Sequence, residues 1–145
     1  MEVGSIVERL LAVKEAIIAS KTFVNGLPFF ARSFAEQDFA GGTGMGYDDW
    51  LKLLDKVIGK LQAPSLPTGE AARELASDCS KLSSHLERYA DYLLTIPSKI
   101  RMASSFIQVD ESVLKSAEEA PRFAEAVRGL KRDIDALVNE LQARA

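Results

Sequence analysis

The sequence predicts an all-α fold, an antiparallel four-helix bundle with one or two additional short helices. Three apolar runs carry this expectation. Leu75, Cys79, Leu82, Leu86, Tyr89, Leu93 and Ile96 alternate spacings of four and three. So do Tyr47, Trp50, Leu54, Val57 and Leu61, and again Phe123, Val127, Leu130, Ile134, Leu137 and Leu141. Alternating threes and fours track the 3.6-residue turn, so each run forms one seam along one side of a helix.

The first helix reads from about Val3 to Val24. Ile6, Leu10, Val13 and Ile17 form its stripe, and Val7, Leu11 and Ile18 widen it enough to touch two neighbours. Asn25-Gly26-Leu27-Pro28 ends it, with Gly26 suited to a left-handed cap. Phe29 to Phe39 reads as a short helix, with Phe30 and Phe34 four apart and Ala31 and Ala35 beside them. Gly41 to Gly46, four glycines in six residues, reads as a flexible loop.

A helix over about Tyr47 to Gln62 follows, with Asp48 and Asp49 at its positive end. Ala63-Pro64-Ser65-Leu66-Pro67 breaks the chain. Thr68 suits the cap of a long helix ending near Ile96. Pro97 interrupts it, so Ser98 to Ile107 is either a kinked continuation or a separate short helix. Asp110 reads as a cap for Glu111 to Ala120, and Pro121 either starts the last helix or kinks one already running. Its close, Leu137 to Ala145, has no glycine or proline stop, so either the helix frays at a true terminus or the chain is the N-terminal domain of a longer protein, the second being the preferred expectation. There is no internal repeat and no second domain boundary.

At 145 residues the chain suits one domain with its own core. Hydrophobic residues make up 47% and charged residues 27%, an ordinary globular balance. The 21 acidic and 18 basic residues leave a net charge of −3, which disfavours a nucleic-acid partner. The lone cysteine, Cys79, cannot form an intrachain disulfide. Glu2 and Glu8 argue against a secretory leader. The longest uncharged stretch, Thr22 to Ala31, falls well short of the roughly 20 residues needed to span a bilayer. These observations point to a cytoplasmic protein, with peripheral membrane association as an option.

Most chemistries lack their residues. The one histidine, His85, belongs to no Glu-x-x-His pair and stands six residues from Cys79, so no metal site is expected. Cys79 occupies a seam and reads as a buried, unactivated thiol. No Gly-x-Ser-x-Gly elbow is present, and Tyr47-Asp48-Asp49 after the glycine run would repel phosphate. No catalytic residue and no cofactor is expected.

What remains are surfaces. Five of the seven phenylalanines fall between Phe23 and Phe39, a density that either plugs the core or leaves a sticky face. The candidate contact residues are Ile6, Leu10, Leu11 and Ile17 on the first helix, Phe29, Phe30, Phe34 and Phe39 after it, and the cations Lys99 and Arg101 beside Pro97. The expected function is a non-enzymatic protein-interaction or signalling module, binding a protein partner or self-associating through its helices. In architecture, and through Val3 to Ile18, the chain resembles the membrane-acting N-terminal four-helix domains of cell-death and immune-receptor proteins. That resemblance implies a first helix that leaves the bundle and inserts into lipid. A third expectation is a small-ligand binder or enzyme with a cavity lined by Phe29, Phe30, Phe34, Trp50 and Tyr89.

Overall fold

The computed structural model describes residues 2–145. The described chain is all-helical: α1 (Val3–Asn25), α2 (Phe29–Thr43), α3 (Tyr47–Leu61), α4 (Gly69–Leu93), α5 (Ile96–Ala103) and α6 (Glu111–Arg144), with no strand among the described residues. One core runs through the molecule. It collects the three seams together with Ile6, Leu10, Val13 and Ile17 of α1. Among the described residues, no helix is long and apolar enough to cross a membrane.

Ion pairs and one serine–carboxylate hydrogen bond fix which residues stand side by side. Lys14 meets Asp55 and Lys21 meets Asp48 between α1 and α3. Lys56 meets Asp78 between α3 and α4. Ser83 donates to Asp135, and Arg128 pairs with Asp91, between α4 and α6. Arg9 of α1 reaches Asp133 of α6.

Several boundaries depart from expectation for identifiable reasons. The left-handed cap does not fall on Gly26, whose φ is −83°. It falls on Gly44, with φ +93°, whose N–H donates to the Ala40 carbonyl at 2.9 Å. The glycine run is not all loop, because α2 continues through Gly41, Gly42 and Thr43. Tertiary contact overrides propensity there. A Cβ on Gly42 would lie 2.5 Å from the Tyr92 ring, and Arg88 donates to the Gly41 carbonyl at 2.8 Å. Neither Thr68 nor Asp110 makes a side-chain cap hydrogen bond. Pro97 opens a separate helix, α5, and Pro121 lies inside the single helix α6.

Candidate functional site

The phase of α2 divides its phenylalanines. Ala31, Ala35, Phe39 and Thr43 recur every four residues and turn toward the core, where Phe39 and Thr43 are fully buried. Phe30 and Phe34 recur on the next ridge, about 100° around the helix, and face solvent. Phe29, Phe30 and Phe34 are 83%, 77% and 75% exposed. Exposure of large apolar side chains in a group is uncommon on a monomer's surface.

The other end of α2 is clamped by α4. The Trp50 indole donates to Thr43 Oγ1 at 2.9 Å, and that hydroxyl donates to the Phe39 carbonyl at 2.9 Å. His85 Nδ1 lies 3.0 Å from the Thr43 carbonyl, and the His85 ring meets Trp50 edge to face. Phe39 stacks on Tyr47 at 4.0 Å and meets Tyr89 and Tyr92 edge-on. Farther along, Asp38 accepts from Tyr92 at 3.2 Å and from Lys99 at 2.7 Å, with the Lys99 ammonium 4.4 Å from the Tyr92 ring centre. Burial, then the nearby Asp38 charge, pushes the Tyr92 hydroxyl far above its usual pKa. Tyr92 therefore acts here as a neutral donor.

A solvent-open cleft of about 420 Å³ separates α2 from α4 and α5, lined by Gln37, Asp38, Gly42, Asp91, Tyr92 and Lys99. Beyond it, Met102 and Phe106 are 69% and 82% exposed, and Leu94 is exposed as well. Met102 lies nearly one turn past Lys99, and Phe34 one turn before Asp38. The Lys99–Asp38 bridge thus places α2's aromatic turn and α5 at the same end of the molecule.

The sequence-predicted contact residues separate accordingly. Phe29, Phe30 and Phe34 are outside, Arg101 is exposed, and Leu11 is partly open at 38%. Lys99 is bridged to Asp38. Ile6, Leu10, Ile17 and Phe39 are 0–1% exposed and belong to the core, because their phase matches that of the facing seams. Met102 belongs to the Pro97–Met102 segment that the sequence singled out for its cations, whereas Leu94 and Phe106 escaped the sequence reading; their signal is apolar residues that follow no seam. The five aromatics expected to line one cavity are not together. Trp50 and Tyr89 meet at 5.5 Å in the core, while Phe29, Phe30 and Phe34 stand outside it. Cys79 is buried, and desolvation pushes its thiol up to about 12. Among the described residues, no three of His, Cys, Asp and Glu gather in a metal-binding group.

No protein-family model matches the chain, and neither a curated protein nor a solved structure is significantly similar to it.

Proposed function

We propose that this chain is a non-enzymatic interaction module that docks through its aromatic end, the surface formed by the start of α2 and by α5. The observation that carries this reading is the exposure of Phe29, Phe30 and Phe34 on a helix whose other ridge is held in the core. Leaving three such rings in water forgoes roughly 1.5–3 kcal/mol of burial for each, which a docking partner recovers. The fine architecture belongs to the same reading: an antiparallel four-helix bundle of α1, α3, α4 and α6, with α2 and α5 as its short helices. The order of the cross-links supports it. Along α1 the numbers rise from Lys14 to Lys21 while their partners on α3 fall from Asp55 to Asp48. Along α4 they rise from Ser83 to Asp91 while α6 falls from Asp135 to Arg128.

Release of α1 is the less favourable mechanism. Ile6, Leu10, Val13 and Ile17 are 0–1% exposed, so freeing them costs about 6–12 kcal/mol at 1.5–3 kcal/mol each. That is comparable to the whole stability of a domain, roughly 5–15 kcal/mol.

The test is a photo-crosslinking amino acid in place of Phe30, compared with one in place of exposed Glu8, in the native host. The expected result is a discrete adduct, protein or lipid, formed from Phe30 alone and abolished by Phe29→Ser with Phe34→Ser. Equal labelling from both positions, or none from Phe30, overturns the reading.

A further inference from the structure

The core stops short of one end of the molecule. Residues 97–119 cover α5, the connection after it and the first turns of α6. They hold Ile100, Met102, Phe106, Ile107, Val113 and Leu114, yet none of these belongs to the core or is packed against it. The chain leaves the core at Ile96 and re-enters it at Ala120. The register of α4 and α6 explains the gap. Ser83 stands beside Asp135 and Asp91 beside Arg128, so the start of α6 runs past the end of α4 and packs on α5 instead. α5 itself has no buried residue.

A proline stands near each end of this segment. Pro97 sits in the first turn of α5, just after the turn at Leu94 and Thr95. Pro121 lies inside α6, one residue past the point where the core resumes. It has no N–H, so the Ala117 carbonyl lacks its helical partner. If the helix parts there, Pro121 becomes the first residue of what remains, where a missing N–H costs nothing. Between the prolines, Lys99 alone ties the segment to distant elements by a side-chain hydrogen bond. It donates to Asp38 of α2 at 2.7 Å and lies 4.4 Å from the Tyr92 ring centre. The side-chain hydrogen bonds of Ser98 and Ser104 only close local turns.

We propose that residues 97–119 form a strap that opens as a unit while the bundle stays folded, hinged at the Leu94–Thr95 turn and at Pro121 and latched by Lys99 on Asp38. Local opening follows low burial and few cross-links, and this segment has both. Its opening removes no side chain from the core, so it costs far less than global unfolding. Lys99 lines the cleft between α2, α4 and α5, so an open strap also removes one wall of that cleft. The proposal is independent of what docks at the aromatic end.

The test is native-state hydrogen exchange of the full chain in low urea, read by mass spectrometry. The expected result is exchange of the 97–118 amides at least about a hundredfold faster than that of 82–90 in α4, with little dependence on urea. Lys99→Gln speeds 97–118 by about two- to fivefold and leaves 82–90 unchanged. Pro121→Ala restores the missing N–H and slows 111–119 by more than about tenfold. Pro121 is exposed and Lys99 half-buried outside the core, so both variants keep the bundle. Protection of 97–118 that equals that of α4, and is lost in parallel with it as urea rises, makes the protein one cooperative unit and overturns the strap. So does a Lys99→Gln variant that speeds both regions alike, or a wild-type segment with no protection, which has no closed state. Either variant exchanging like wild type overturns its own part, the latch or the hinge.

Discussion

The Gly42 backbone lies so close to the Tyr92 ring that an added Cβ would sit 2.5 Å from Cδ1. The ring has little room to yield, since its hydroxyl is held by Asp38, Lys99 covers one face and Phe39 meets it edge-on. Gly42→Ala is therefore expected to destabilise the protein by about 1–3 kcal/mol, although alanine is the better helix former. Urea denaturation measures this. The expected loss shrinks in a Tyr92→Ala background, where the clash is absent.

Thr43 Oγ1 accepts the Trp50 indole proton inside the core. Thr43→Val keeps the shape and removes the acceptor, leaving a buried N–H without a partner. The expected cost is about 1–3 kcal/mol. It is read as a lower urea midpoint with an unchanged slope, followed by emission from Trp50, the single tryptophan.

Leu10 and Phe30 are both large and apolar, but only one is in the core. Leu10→Ala is expected to cost about 2–5 kcal/mol, and Phe30→Ser less than about 0.5 kcal/mol. Paired denaturation curves compare them. A similar loss for both would place Phe30 inside.

Asp135 accepts hydrogen bonds from Ser83 and Lys131. Burial alone would raise its pKa, but those two hydrogen bonds outweigh it and hold the carboxyl below its ordinary 3.8. A lowered folded pKa contributes stability above the unfolded value and loses it as pH falls through the folded one. Wild type is therefore expected to be more stable than Asp135→Asn at neutral pH, with the gap closing as pH drops below about 4. Midpoints measured across that range check the sign.

The seams were legible because alternating spacing reports directly which side of a helix is apolar. Cys79, Leu82, Leu86 and Tyr89 lie in the core as their phase requires. The phenylalanine-rich segment was harder. Its composition marks it as unusual, but only the register of α2 separates Phe39 from Phe30 and Phe34. That register places Thr43 against Trp50, a contact seven residues along the chain that spacing alone does not report. Gly41 and Gly42 misled for a related reason: their helix is held by Arg88 and Tyr92, more than forty residues away along the chain. Local propensity carries no trace of such partners.

His85, Arg88 and Tyr92 follow one another along a single face of α4, and each grips the tail of α2. The polar and ring clamps on α2 thus gather at its C-terminal end, around Asp38 to Thr43. At that clamp one hydroxyl, Thr43 Oγ1, holds the indole of Trp50. The chain's own fluorophore is built into that anchor, so its emission reports whether the tail of α2 stays seated.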